Sequence, residues 1–90
     1  MNKWEIRFSD EALKELKKLD RYTLRLIDSW IAKHLENCSD PRSFGKPLVA
    51  NRSGQWRYRI GDYRMLCEIH DNVLLILVIK IGHRRDVYDK

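Results

Sequence analysis

The stretch Gln55-Trp56-Arg57-Tyr58-Arg59-Ile60-Gly61-Asp62-Tyr63-Arg64-Met65-Leu66-Cys67-Glu68-Ile69 decides the fold. Trp56, Tyr58 and Ile60 alternate with Arg57 and Arg59; Tyr63, Met65, Cys67 and Ile69 alternate with Arg64, Leu66 and Glu68. Alternation with a period of two marks half-buried strands. Gly61-Asp62 between them reads as a two-residue hairpin turn with glycine first, the type II′ pattern. A two-residue turn sets the register. Ile60 then stands opposite Tyr63, Arg59 opposite Arg64, Tyr58 opposite Met65 and Arg57 opposite Leu66. Trp56, Tyr58, Ile60, Met65 and Cys67 share the side that faces a core, and Arg57, Arg59 and Arg64 share the other.

Upstream of the hairpin, residues 3–8 alternate as a further half-buried strand, with Trp4, Ile6 and Phe8 on one side. Ser9 fits a helix N-cap, Asp10 and Glu11 suit the first turn, and Phe8 and Leu13 occupy hydrophobic-staple positions. Ala12, Leu13, Leu16 and Leu19 follow helical spacing. Asp20 caps a second helix with an apolar stripe of Leu24, Ile27, Ile31 and Leu35, Trp30 beside it, ending near Asn37. Residues 39–54 hold both prolines and two glycines and read as the one long irregular stretch, a kind of loop that usually carries function. Downstream, Asp71-Asn72 reads as a turn. Residues 73–81 form a nearly continuous apolar run, the mark of a strand covered on both faces, which Gly82 ends. The expected order is βααβββ. This is an α+β fold with a mainly antiparallel four-stranded sheet and a two-helix hairpin on one face, in a single domain of residues 1–90.

Ninety residues make one small domain. With 43% hydrophobic and 34% charged residues, the chain is too apolar for disorder. No apolar run approaches the roughly 20 residues that span a bilayer, and the first residues lack a secretory pattern, so the expected location is the cytoplasm with no membrane partner. Two cysteines cannot build a disulfide framework or a zinc site. No Asp/Glu/His set has metal-ligand spacing and no glycine-rich phosphate loop occurs, so neither a metal nor another cofactor is expected.

The net charge of +5 is localised. Residues 1–40 hold eight basic and eight acidic groups, whereas residues 41–90 hold ten basic and five acidic. A one-sided basic surface favours a polyanionic partner. Placing Arg59 directly opposite Arg64 costs some tenths of a kcal/mol in a sheet. That cost favours an anion site over a merely solvated face, although Glu68 on the same face offers Arg57 a diagonal partner. Arg84 and Arg85 emerge where the last strand ends, Tyr88 adds a phenol able to stack on a base or donate a proton, and His83 adds an imidazole, a side-chain type suited to proton transfer. Guanidinium groups around a phosphodiester suit metal-independent RNA cleavage, in which the 2′-OH attacks its own phosphate and charge grows on the non-bridging oxygens.

Phe44-Gly45-Lys46-Pro47-Leu48, the run from Gly54 through Arg64, Glu68-Ile69, and Ile81-Gly82-His83-Arg84-Arg85-Asp86-Val87-Tyr88 closely resemble the RelE branch of the RelE/ParE toxin family. The resemblance spans essentially the whole chain. It implies a fold related to microbial ribonucleases and ribosome-dependent cleavage of mRNA in the 30S A site. It also implies neutralisation by a RelB-like antitoxin, with operator DNA bound only through the antitoxin complex. Carried over by residue, the family's basic pair falls on Arg57 and Arg59, its next arginine on Arg64, its late arginine on Arg84 and its terminal tyrosine on Tyr88. Well-studied members carry lysines where this chain has Arg57 and Arg59. An arginine is a poor base, which turns attention to His83 or Tyr88, or the ribosome itself, for proton transfer. Lys46, Arg52 and Arg85 are the expected RNA contacts. The alternative is a non-enzymatic DNA gyrase inhibitor, as in the ParE branch, which needs no phosphate-polarising cluster.

Overall fold

In the computed structural model, which describes residues 3–48 and 55–85, the central hairpin joins β3 (Gln55–Ile60) to β4 (Tyr63–His70). Its register pairs Ile60 with Tyr63, Arg59 with Arg64, Tyr58 with Met65 and Arg57 with Leu66, as a two-residue loop demands. Gly61 alone in that loop has a positive φ, +59°, the type II′ requirement. The other strands are β1 (Glu5–Phe8), the short β2 (Lys46–Pro47) and β5 (Leu75–His83). They assemble in the order β1-β5-β4-β3-β2, with β1 parallel to β5 and every other pair antiparallel.

The sheet has five strands rather than four. The extra one, β2, arises within the stretch expected to be irregular, where Lys46 and Pro47 pair with Arg57 and Trp56. A proline is tolerated there because the strand is an edge. The last strand starts later than the apolar run suggests. Asp71–Val73 form a 3₁₀ turn and Leu74 takes a left-handed conformation (φ 50°) before β5 begins. The strand also runs one residue past Gly82, to His83. Between Leu66 and Cys67 the β5 partner jumps from Lys80 to Val78, leaving Ile79 as a bulge.

Helix α1 (Asp10–Lys17) begins where the sequence places it: Ser9 Oγ accepts from the Ala12 N–H at 3.1 Å. The same hydroxyl donates to the Ile79 carbonyl at 3.0 Å, and the Ser9 N–H donates to Val78. One cap therefore starts the helix and fastens it to β5, at the bulge. Asp20 caps α2 (Arg21–Ile31) through the Thr23 N–H, and the helix continues as a π turn, Ala32–Glu36.

Both helices cover one face of the sheet. The core joins Ala12, Ile27, Ile31 and Leu35 to Tyr58, Ile60, Met65, Cys67, Ile76, Val78 and Ile81. Truncating any of the larger aliphatic ones to alanine removes about 2–5 kcal/mol. Two members of the expected helical stripes stay out of it. Leu13 is 43% and Leu24 39% exposed, because two short helices on a sheet bury a narrower stripe than the periodicity alone suggests. No helix among the described residues is long and apolar enough to cross a membrane.

Candidate functional site

The face opposite the helices carries the basic residues. Register sets their places: Lys46 on β2 lies beside Arg57 on β3, which lies beside Leu66 on β4, which lies beside Lys80 on β5. Nearer the hairpin turn on the same face, beyond the intervening Tyr58–Met65 pair, Arg59 stands beside Arg64, and the next position, on β5, is Gly82, which brings no side chain. Arg84 follows β5 directly. Its N–H donates to the Asp62 carbonyl in the hairpin turn at 2.7 Å, which ties the end of β5 to the Arg59–Arg64 end of the hairpin.

Arg64 is the centre of this arrangement. Its Nη1 is removed from solvent and has no hydrogen-bond partner among the described residues. Removal from water pushes the guanidinium below the usual arginine value, and Arg59, Arg57 and Arg84 push the same way, while Asp62 opposes them. The four guanidinium groups therefore feel one another. No carboxylate among the described residues bridges to Arg59, Arg64 or Arg84, and the Glu68 carboxylate contacts His70 at 3.2 Å. Buried polar hydrogens are almost always satisfied in folded proteins, so a donor without a partner among the described residues, set amid like charges, has the chemistry to take an anion.

The approach to this face is shaped by the segment around β2. Gly45, Lys46, Arg57 and Arg59 line a groove of about 210 Å³. The segment is held down from behind by an aromatic cluster. Trp30 stacks on His34 with centroids 4.6 Å apart, and Phe44 meets His34 edge-on at 5.1 Å. Trp56 Nε1 donates to the Phe44 carbonyl, and the buried Tyr58 hydroxyl donates to the Pro41 carbonyl at 2.7 Å. Arg42 reaches across to the β4–β5 turn and grips Asp71 with two hydrogen bonds of 2.9 Å. Gly45 is required: its φ is +72°, and a Cβ there would collide with the Arg57 carbonyl and lie 2.9 Å from both Trp56 Nε1 and Tyr58 Cδ1.

Of the residues singled out from sequence, Arg57, Arg59, Arg64, Arg84 and Lys46 come together on or beside this face. His83 does not join them directly. It pairs with Tyr63 across the β4–β5 ladder, its ring meeting Tyr63 edge-on at 5.5 Å, and its Nδ1 accepts from the Arg85 N–H. Arg85 is exposed just beyond it. Arg52 and Tyr88 lie outside the described residues. Lys80, which the sequence reading passed over, shares the row of Lys46 and Arg57. The signal was a single charge interrupting an apolar run, and the bulge at Ile79 hid its register.

Comparison with known proteins sets this fold among the toxins of toxin–antitoxin systems. The chain superposes on the toxin–antitoxin complex RelBE2 from Mycobacterium tuberculosis with a TM-score of 0.82 and 28% identity, covering 93% of this chain and 94% of that one. On the archaeal RelE–RelB complex from Pyrococcus horikoshii OT3 the TM-score is 0.73 at 20% identity, covering 96% and 100%. Toxin RelG of Mycobacterium tuberculosis is 29% identical over 85 residues, 94% of this chain and 95% of that protein. The family model described as the ParE toxin of type II toxin–antitoxin system, parDE, matches residues 6–88. This chain belongs to that family: it is a type II toxin–antitoxin toxin of the RelE/ParE group, with the microbial-ribonuclease-like fold of RelE.

Proposed function

We propose that the chain is a ribosome-dependent endoribonuclease that cleaves mRNA in the A site without a metal ion, and that a RelB-like antitoxin neutralises it. The observation that carries this reading is Arg64, whose Nη1 has no partner among the described residues and sits among Arg57, Arg59 and Arg84. The 2′-oxygen attacks the adjacent phosphorus, the bond to the 5′-oxygen breaks, and the products are a 2′,3′-cyclic phosphate and a free 5′-hydroxyl. Negative charge rises on the non-bridging oxygens as the pentacoordinate state forms. Fixed guanidinium donors stabilise that state more than the ground state, because their positions are prepared before the reaction. Arg57, Arg59 and Arg64 hold and polarise the phosphate, and Arg84 answers the added charge. Lys46 and Arg85, with Arg52, contact flanking phosphates of messenger or ribosome. An arginine is too weak an acid to lose its proton readily, so the 2′-OH proton and the proton for the 5′-oxygen pass through other groups, with Tyr88 and His83 the candidates of this chain. The two neighbours described as complexes with RelB support an antitoxin partner, through which operator DNA would be reached.

In the test, wild type and the Arg64→Ala and Arg84→Ala variants are induced and the 5′ ends of a translated message are mapped. Wild type generates new ends within codons. Each variant loses at least about a hundredfold of that cleavage, the scale of one lost oxyanion donor, while its circular dichroism stays native. Undiminished cleavage by both variants overturns the assignment. The matched family model carries the ParE name, which favours a second reading, inhibition of DNA gyrase without catalysis. Under that reading DNA-damage signalling precedes the arrest of translation; under the first, translation stops before any such signal.

A further inference from the structure

In β5, Lys80 interrupts an otherwise apolar run. A charge there is costly on the core side of the sheet, and the bulge at Ile79 decides the side. Between His70 and Cys67 the ladder takes Leu75, Ile76, Leu77 and Val78 in regular order. Carried on without a break, that order would set Lys80 against the fully buried Met65, and Ile81 against Arg64. The extra residue moves everything beyond it by one place. Ile81 then meets Met65 in the core, and Lys80 meets Leu66 on the arginine face. Re-aiming side chains in this way is what a bulge does. The shift is fastened from outside the ladder, since Ser9 donates from its N–H to the Val78 carbonyl and from its hydroxyl to the Ile79 carbonyl.

The place so reached suits a phosphate contact. On that face β5 carries Lys80 and then the bare Gly82, with Arg84 following, and Gly82 is the direct partner of Arg64. Lys80 is therefore a diagonal neighbour of Arg64, with Cα atoms roughly 7–8 Å apart. It also continues the row of Lys46 and Arg57, with the uncharged Leu66 in between. Among the described residues no carboxylate forms an ion pair with Lys80. Glu68 and Glu5, on the same face, are taken by His70 and Arg7. Because β1 stops beside Val78, Lys80 stands at a free edge of the sheet, where a strand of nucleic acid can pass. An ammonium on a flexible stem suits a phosphate whose orientation is not fixed, and such contacts position a nucleic acid without reading its bases.

We propose that Lys80 binds a phosphate of the message next to the cleaved one, extending the arginine site across β5 to the free edge of the sheet. The proposal rests on the arginine face being the RNA site. The probe is a short single-stranded RNA with every 2′-oxygen methylated, which binds but lacks the attacking hydroxyl. Its affinity for the full chain is followed by fluorescence anisotropy as salt rises, for wild type, Lys80→Gln, Lys80→Arg and Lys14→Gln, after thermal melts confirm that each folds. Lys14→Gln removes the same charge from an exposed position of α1, on the other side of the sheet. At low salt Lys80→Gln binds at least about threefold more weakly, and its slope of log K against log salt is flatter by about 0.7, the share of one phosphate on a single strand. Lys80→Arg keeps the wild-type affinity and slope, and Lys14→Gln keeps the slope. Equal slopes for wild type and Lys80→Gln overturn the proposal, as a contact made to the ribosome alone would produce, and so does equal flattening by Lys14→Gln. Normal RNA binding by a Lys80→Gln protein that self-associates also overturns it, leaving the lysine as a guard of the free edge. Cleavage of translated message by the same proteins is scored separately: a wild type that leaves the message whole sinks the nuclease reading, whereas the slope decides Lys80.

Discussion

Arg64 is held where its own protein works against its charge, and that tension has a measurable consequence. Arg59 is its direct cross-strand partner and pushes its guanidinium the same way as burial does. Replacing Arg59 with threonine, a strand-favouring residue without charge, relieves the repulsion and raises stability by some tenths of a kcal/mol. Urea denaturation reads this directly, and the same variant cleaves ribosome-bound message less well. Gly45 makes the converse case. A methyl group there meets the Arg57 carbonyl, and alanine tolerates a φ of +72° poorly. Gly45→Ala therefore lowers stability by about 2 kcal/mol or more in the same assay. It also displaces Lys46 from its place beside Arg57, so cleavage falls even though no charge has been removed. The charge of Arg64 was legible from the two-residue turn and the alternation around it. The clash at Gly45 was not, since it depends on Trp56 and Tyr58 packing against a segment that precedes them by more than a loop's length in the chain.

Among the elements, the brace between the Pro41–Ser43 turn and the Asp71–Val73 turn is the contact that no periodicity announces. Arg42 and Asp71 are 29 residues apart and meet in a bidentate pair. The Arg42 side chain holds the Asp71 carboxyl below its usual value by hydrogen bonding and by its charge. The folded protein thus binds that proton less readily than the unfolded chain. Its contribution is fully present above the ordinary aspartate value of about 3.9 and is lost as pH falls through the lower, folded value. Thermal melts from pH 6 downward show a steeper acid loss for wild type than for Asp71→Asn, which lacks the titrating group; parallel curves count against the brace. The helix starts, by contrast, were readable from local chemistry. Ser9 and Asp20 cap as their neighbours imply, because a cap is satisfied within three residues.

For the whole molecule, a patch of like charge on one face of a small sheet means that the folded state gains from any polyanion it binds. A short single-stranded RNA raises the melting temperature, since ligand bound only to the native state shifts the folding equilibrium. Added salt diminishes the effect, with a slope of about −0.7 in log K against log salt for each phosphate neutralised. Arg64→Ala flattens that slope, and an unchanged slope places the phosphate elsewhere. What the sequence by itself determined was everything that rests on near neighbours: strand alternation, the II′ turn, the hairpin register, the helix caps, and hence the gathering of Arg57, Arg59 and Arg64 on one side. Tertiary structure alone decided the parallel docking of β1 on β5, the short β2, the bulge that sets Lys80 in the row of Lys46 and Arg57, and the separation of His83 from the arginines. Those features arise from contacts between segments far apart in the chain, where packing rather than local preference selects the partner.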